Sequence, residues 1–208
     1  MAAFEEAGRM GADMVELDVR RTADGALVVH HDAAVPDVGT IVELRKADLP
    51  PSVPTLAEAL DACAGMGVNI EIKNSPMDPD YDEGQAVAGA VAGLVLAKRL
   101  QDRVIVSSFN LAAVDAVRAA SSKVPTALLT IPALDQQWAI DIAAEHGHAA
   151  WHPHHTSVTA DLVDAAHAAG LKVNTWTVDD PDTMRALAAM GVDGIVTNHP
   201  DTALTTLR

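Results

Sequence analysis

Two acids stand two residues apart in an otherwise apolar stretch near the start of the chain. They are Glu16 and Asp18 in MVELDV, and a third acid, Glu71, lies in the similar stretch VNIEIK. Because alternate side chains of a β-strand share a face, each stretch is predicted to hold its acids opposite its aliphatic residues. Carboxylates are the hard oxygen ligands that Mg²⁺ and Ca²⁺ prefer, and without a cation three neighbouring charges would repel one another. The pattern therefore predicts a divalent metal site.

Two further residues are of types suited to phosphate chemistry. Lys73 shares the predicted face of Glu71 and offers a point charge for a phosphate oxygen. His31 ends the stretch ALVVHH directly before Asp32, and an imidazole near neutral pH can donate a proton to a leaving alkoxide. Its neighbour His30 is predicted to point to the opposite face, outside the site. A Glu-x-Asp pair alone is more typical of a solvated strand face, so the metal prediction depends on the addition of Glu71 and Lys73.

Other residues with reactive side chains favour ordinary packing. In the run WHPHH, residues 151–155, His152 and His154 share a strand face, but no cysteine or histidine elsewhere has the spacing of a zinc site. Trp176 lies in the strand-like NTWTV, where an aromatic residue belongs to the core or, next to a site, forms the wall of a pocket. Cys63, the only cysteine, occupies an apolar position of a predicted helix, which indicates packing and excludes a disulfide within the chain.

The composition excludes several classes of partner. Asp and Glu total 29 against 14 Lys and Arg, a formal net charge of −15, which argues against nucleic acid and anionic membranes. No apolar run approaches the ~20 residues that cross a bilayer, and no signal peptide is visible, so we predict a cytoplasmic location without stable membrane insertion. The expected partner is a small-molecule substrate, and the oligomeric state stays open.

Strand-like and helix-like runs alternate along the chain. The strand-like runs are 14–19, 68–73, 104–109, 126–131, 149–154, 172–178 and 194–198. This alternation predicts an α/β domain with a parallel sheet covered by helices, in which Asn110 caps the helix after VIVSSF. An open doubly wound sheet and a (β/α)8 barrel both satisfy the alternation. Because no GxGxxG or GxxxxGK[ST] occurs and polar strand faces suit a barrel interior, we predict a single (β/α)8 barrel domain over 1–208.

One strand-like run lies outside the parallel set. Residues 26–31 follow the first strand across TADG, a typical hairpin turn, so they should run antiparallel to it as an excursion at 20–32. Seven barrel strands then remain, and the chain opens in the helix-like MAAFEEAGRMG with no strand before it. We therefore expect the first barrel strand to lie upstream of residue 1. The edge beside 14–19 should then be open, which would lower stability or favour association.

The order of the motifs resembles that of one known enzyme family, the glycerophosphodiester phosphodiesterases. Nearly the whole chain carries, in the order of that family, the stretches VELDVRRTADGALVVHHD, VPTLAEAL, NIEIK, SSF, NTWTV and GVDGIVTNHP. The resemblance implies a (β/α)8 barrel and a metal-dependent hydrolysis of glycerophosphodiesters to glycerol 3-phosphate and an alcohol. By the same resemblance the site residues are the metal-binding acids Glu16, Asp18 and Glu71, the general acid His31, the phosphate-side Lys73 and the pocket aromatic Trp176.

The chain also departs from the pattern of that family. The family opens with a strand carrying His-Arg-Gly and a Pro-Glu-Asn-Thr stretch, whereas this chain starts at Met1, after the point where those stretches end. The second catalytic histidine is therefore expected upstream, and Asn198 stands where the family more often has an acid. An alternative function is thus a metal- or phosphate-binding barrel without turnover. A magnesium-dependent lyase is less favoured, because the late strands offer mainly Trp176 and Thr177 in place of a base.

Overall fold

The chain forms two compact units in a computed structural model that describes residues 1–208. Unit 1 comprises residues 1–9 and 13–125, and unit 2 comprises residues 10–12 and 126–208. Strands and helices alternate in both units, as the sequence predicted. None of the helices has both the length and the hydropathy needed to cross a bilayer. The organisation as a single domain over 1–208 stays a prediction.

Unit 1 begins with a helix and then builds its strands. Its strands are β1 (Met14–Arg21), β2 (Leu27–Val29), β3 (Ala34–Val35), β4 (Gly39–Thr40), β5 (Gly67–Ile72) and β6 (Val104–Ser108). Its helices are α1 (Ala2–Met10), whose last residue falls in unit 2, α2 (Leu56–Ala62), α3 (Ala86–Ala97) and α4 (Leu111–Ala120). Short 3-10 turns cover Ile41–Glu43 and Lys46–Asp48. Helices α3 and α4 follow β5 and β6, so this part of the chain consists of repeated βα units.

The parallel strands of unit 1 bring the predicted acids together. β5 lies between β1 and β6 and pairs with both in parallel. The register places Glu16 beside Asn69 and Asp18 beside Glu71, and across the other edge of β5 it places Ser107 beside Glu71. Residues paired in this way point to the same face of a sheet. Acids that are distant in the sequence therefore lie side by side on one face of β1 and β5.

The opposite face of these strands forms the core of unit 1. Leu17, Val19, Ile70 and Ile72 are each at most 2% exposed. They share this core with apolar side chains that include Leu56, Leu60, Cys63, Val87, Val91, Val95, Ala113 and Val117. Full burial of an aliphatic side chain stabilises the fold by about 1.5–3 kcal/mol. The aliphatic face thus stabilises the strands, and the opposite face is left to carry the acids.

A β-hairpin carries His31 to the end of β1. Gly25 lies in its turn with a φ of 82°, a left-handed conformation that favours glycine. β2 then runs antiparallel to β1, and the His30 N–H donates to the Asp18 carbonyl at 3.0 Å. The predicted antiparallel excursion is confirmed, although regular strand covers only three residues of the predicted 26–31. His31 therefore follows directly on a residue that is bonded to the strand of the acids.

Asn110 caps the start of α4 and connects this helix to the segment after β5. Its side-chain oxygen accepts the Ala112 N–H at 3.0 Å, which confirms the predicted cap, and its amide group donates to the Asn74 carbonyl at 2.8 Å. We expect Asn110→Ala to lower the free energy of unfolding by about 1–2 kcal/mol in urea denaturation, because both bonds are lost. Asn110→Ser keeps a capping oxygen and should lose less. A loss as large as that of the alanine variant would contradict the role of the cap.

Unit 2 repeats the same alternation. Its strands are β7 (Thr126–Thr130), β8 (Ala150–Pro153), β9 (Lys172–Thr175) and β10 (Gly194–Ile195), and its helices are α5 (Gln136–Glu145), α6 (Ala160–Ala168), α7 (Pro181–Ala189) and α8 (Pro200–Leu207). β8 pairs in parallel with β7 and β9, and β10 pairs in parallel with β9. The last two strands are shorter than predicted, but hydrogen bonds continue beyond them, because the Val196 N–H donates to Thr175 and the Val178 N–H to Val196.

Candidate active site

Three carboxylates converge on one face of β1 and β5. One oxygen from each of Glu16, Asp18 and Glu71 lies within 4.8 Å of the other two. Two oxygens that bind one Ca²⁺ at about 2.3–2.6 Å can lie at most about 5 Å apart, so the three groups fit one coordination sphere. The donor set consists of oxygen alone, which suits Mg²⁺ or Ca²⁺ better than a softer metal. Unit 1 therefore has a group of acids positioned to bind a divalent metal.

Lys73 balances part of the negative charge of these acids. Its Nζ lies 3.1 Å from Asp18 Oδ1 and 2.5 Å from Glu71 Oε1. Burial acts to lower the pKa of Lys73, but the charges of Glu71 and Asp18 outweigh burial and raise this pKa above its usual value. Lys73 is therefore a stable cation at neutral pH. The sequence predicted that Lys73 contacts a phosphate oxygen of the substrate. In the structure its ammonium group forms ion pairs with Asp18 and Glu71.

Glu16 is the acid with the most perturbed environment. Its Oε1 is buried and has no hydrogen-bond partner. Burial, followed by repulsion from Asp18 and Glu71, raises the pKa of Glu16 to about 8 against the opposing charge of Lys73. Burial also raises the pKa of Glu71, which Lys73 and, more weakly, His31 act to lower. Glu16 therefore holds a proton at neutral pH. A divalent cation would stabilise the ionised carboxylate and give its buried oxygen a partner.

The raised pKa of Glu16 leads to a testable prediction about metal binding. At pH 7 Glu16 is protonated, so an ion that binds to the carboxylate must displace about one proton. At pH 9 Glu16 is already ionised, and we expect much less proton release. Calorimetric titrations with Mg²⁺ and Ca²⁺ in two buffers of different ionisation enthalpy measure the protons released at each pH. Glu16→Gln should abolish the difference, and equal release at pH 7 and pH 9 would contradict the prediction.

His31 is oriented by the residue that follows it. Its Nδ1 lies 2.8 Å from Asp32 Oδ1, and both side chains are 73% exposed. A carboxylate bonded to one ring nitrogen sets the tautomer and leaves the other nitrogen free to exchange a proton with a substrate. The His30 N–H donates to the Asp18 carbonyl, so the residue before His31 is bonded to the strand that carries two of the acids.

Arg20 is a buried residue of this region that was not among the site residues predicted from the sequence. Its guanidinium group pairs with both oxygens of Asp80, at 2.6 and 2.7 Å, and with Asp78 Oδ2 at 3.2 Å. It also donates through Nε and Nη2 to the carbonyl oxygen of His31, at 3.0 and 2.8 Å. A signal was present in the sequence, because Arg20 follows Asp18 by two residues and therefore continues the polar face of β1.

The candidate residues of unit 2 pack against one another. Trp176 donates from Nε1 to the carbonyl oxygen of His152 at 2.9 Å, and the ring of His154 meets its ring edge to face at 5.0 Å. Nε2 of His152 lies 2.9 Å from the Asn174 amide nitrogen, and burial lowers the pKa of His152 to about 4. His152 is thus a neutral, hydrogen-bonded residue of the interior. The role of Trp176 as a pocket aromatic stays a prediction.

Comparisons with known protein sequences connect this arrangement to a group of enzymes. Residues 1–202 match the model of the glycerophosphoryl diester phosphodiesterase family. The chain is 31% identical over 229 residues to a glycerophosphodiester phosphodiesterase of Caldanaerobacter subterraneus, with 100% of this chain and 91% of that protein covered. It is also 31% identical to a glycerophosphodiester phosphodiesterase of Bacillus altitudinis, with 98% and 90% covered.

Solved structures agree with the sequence comparisons. A glycerophosphodiester phosphodiesterase from Parabacteroides distasonis is 26% identical, with a TM-score of 0.83 over 97% of this chain and 86% of that chain. A phosphodiesterase from Oleispira antarctica, solved in complex with the product sn-glycerol-3-phosphate, is 25% identical, with a TM-score of 0.85 over 99% and 89%. The likeness confirms the predicted fold class, an α/β fold of the (β/α)8 barrel type.

Proposed function

The chain belongs to the glycerophosphoryl diester phosphodiesterase family, and we propose that it hydrolyses glycerophosphodiesters to glycerol 3-phosphate and an alcohol. The observation that carries the proposal is the convergence of Glu16, Asp18 and Glu71 with a lysine on the same strand face. The similar Oleispira antarctica enzyme was solved with sn-glycerol-3-phosphate, which supports the choice of product. A phosphodiester is an anion, and a chain with a net charge of −15 needs a local source of positive charge to bind it.

We assign the metal site to Glu16, Asp18 and Glu71. The buried, unpartnered Oε1 of Glu16 and the all-oxygen donor set support this assignment, with Mg²⁺ or Ca²⁺ as the ion. When bound, a divalent ion supplies charge neutralisation and polarisation of the phosphoryl group. The parallel register of β1 and β5 brings the side chains of the three acids to the same face of the sheet. A localisation in the cytoplasm stays a prediction.

Lys73 is assigned to the phosphate side of the substrate. Its ammonium group contacts Asp18 and Glu71, which are also two of the three assigned metal ligands. A cation on these acids would compete with Lys73 for their oxygens, so the lysine would gain freedom to donate to a phosphate oxygen. Lysine suits this contact, because its ammonium group is a compact point charge on a flexible stem.

His31 is assigned as the proton donor to the leaving group. As water attacks phosphorus and releases one of its protons to the solvent, the bond from phosphorus to the alcohol oxygen breaks, and a separate proton passes from Nε2 of His31 to the departing alkoxide. Asp32 bonds to Nδ1, which orients the ring and leaves Nε2 as the nitrogen that hands over the proton. General acids of this kind contribute about 10²–10⁴-fold to a rate.

A release assay for glycerol 3-phosphate tests the proposed function. The chain is incubated with a panel of glycerophosphodiesters that differ in the headgroup alcohol, in Mg²⁺, in Ca²⁺ or in a chelator, and the product is measured enzymatically. We expect release that requires a divalent ion. Release that continues unchanged in the chelator would contradict the metal assignment. Metal binding without any release would favour the alternative of a metal- or phosphate-binding barrel without turnover.

A further inference from the structure

The guanidinium group of Arg20 makes an unusually complete set of bonds inside unit 1. The side chains of Arg20 and Asp80 are each only 4% exposed, and the two groups pair through two short hydrogen bonds, at 2.6 and 2.7 Å. Asp78 accepts a further bond at 3.2 Å. Arginine keeps its charge when buried, so removal of its partners from a dry site would leave a costly unpaired charge. The ion pairs of Arg20 with Asp78 and Asp80 therefore hold its guanidinium group in a fixed position.

The remaining donors of Arg20 act on the backbone of His31. Nε and Nη2 donate to the same carbonyl oxygen, at 3.0 and 2.8 Å. This carbonyl belongs to the peptide that joins His31 to Asp32, the pair whose side chains are bonded to each other. Two donors from a planar group restrict both the position and the orientation of that peptide.

We propose that Arg20 is a positioning residue for the general acid: it fixes the His31–Asp32 peptide, and Asp80 fixes Arg20 in turn. The inference rests on the proposed function for its effect on catalysis. Arg20 would affect the reaction indirectly. Its guanidinium group donates to the backbone carbonyl of His31 and not to the imidazole ring that transfers the proton. The loop that carries Asp78 and Asp80 would thus help to position His31, because both acids bond to Arg20.

The exposure of His31 explains why such support matters. Both His31 and Asp32 have side chains that are 73% exposed, so packing does little to hold the imidazole ring. The backbone bond from His30 to Asp18 holds the preceding residue, and Arg20 holds the following peptide. Displacement of a reacting group by about 1 Å can cost roughly 10²-fold in rate. We therefore expect the loss of the Arg20 bonds to displace the His31 imidazole and to slow proton donation.

The test compares four variants on two substrates. Arg20→Gln removes the bidentate donors, Asp80→Asn removes the charge that holds Arg20, and the double variant removes both charges so that neither is left buried alone. Arg45→Gln is the matched control, because Arg45 pairs with Asp48 at 3.0 Å on the exposed surface of the same unit. Each variant is assayed on an alkyl glycerophosphodiester, which needs a proton on its leaving group, and on a nitrophenyl diester, which does not.

We expect Arg20→Gln and the double variant to lose roughly 10- to 100-fold in kcat on the alkyl diester and only a few-fold on the nitrophenyl diester. Asp80→Asn should lose less than Arg20→Gln, because it leaves the donors to His31 in place. Arg45→Gln should leave both rates unchanged. Equal losses on the two substrates would overturn the proposal, since a purely structural role lowers both rates together.

Hydrogen exchange separates this inference from the proposed function. If the unaltered chain releases no glycerol 3-phosphate, the proposed function fails, and exchange of the backbone amides in residues 30–34 decides the positioning claim. Faster exchange in this segment for Arg20→Gln than for Arg45→Gln would support an Arg20 anchor on the turn. Unchanged exchange would overturn it. If Arg20→Gln alone does not fold, the double variant provides the same comparison without an unpaired buried aspartate.

Discussion

His31→Ala is expected to slow the hydrolysis of an alkyl glycerophosphodiester by roughly 10²–10⁴-fold, the usual contribution of a general acid. An alkoxide is a poor leaving group and needs a proton, whereas a nitrophenolate departs without one. The same variant should therefore lose much less activity on a nitrophenyl diester. Steady-state kinetics on the two substrates measure the difference between the losses.

The neighbouring histidine provides the control for this experiment. His30 has the same side chain, but its Nδ1 lies 2.8 Å from the Asp32 carbonyl oxygen, and its predicted strand face is the opposite one. His30→Ala should keep most of the activity on both substrates. If His31→Ala lost the same factor on the alkyl and the nitrophenyl diester, His31 would have a binding or structural role and no part in proton donation.

The second large effect is expected at Glu71. Glu71→Gln keeps the shape of the side chain but removes the charge that faces both the assigned metal and Lys73. Loss of partners outside the ligand sphere already weakens metal binding by about 10–100-fold, so we expect a directly ligating carboxylate to contribute at least about 100-fold. Titration with Mg²⁺ and Ca²⁺ measures the affinity, and the release assay should show a parallel loss of activity.

A surface glutamate of the same unit serves as the control for Glu71. Glu43 lies exposed in a 3-10 turn, and Glu43→Gln changes the net charge by the same amount. It should leave metal affinity and turnover unchanged, which separates a local ligand effect from a change in the field of a very acidic protein. An unchanged metal titration for Glu71→Gln would remove Glu71 from the assigned ligands.

Much of the fold was predictable because its signals are local. The two-residue alternation in MVELDV and VNIEIK predicted which residues are buried, and Leu17, Val19, Ile70 and Ile72 form the core as expected. The Asp-Gly turn predicted the hairpin for the same reason, since turn geometry depends on a few adjacent residues. Strand ends were less predictable. The run 194–198 contains only two residues of regular strand, because pairing depends on a partner elsewhere in the chain.

Arg20 shows the limit of local reasoning in the site. Its position on the polar face of β1 follows from its spacing to Asp18, but its partners Asp78 and Asp80 lie in a loop after β5. Nothing in the spacing of these residues indicates a contact, because the path of an irregular loop is not periodic. The distances alone reveal that one guanidinium group joins this loop to the carbonyl of His31.

By itself the sequence determined the chemical character of this protein: the acids, the lysine and the histidine, the strand faces that carry them, and the (β/α) alternation that makes their strands parallel neighbours. These features follow from residue type and from the short period of a strand. Only the tertiary structure decided how the charges are shared, with Lys73 on Asp18 and Glu71 and the pKa of Glu16 raised to about 8. Burial and the distances between charges set those properties, and both depend on how segments far apart in the chain pack together.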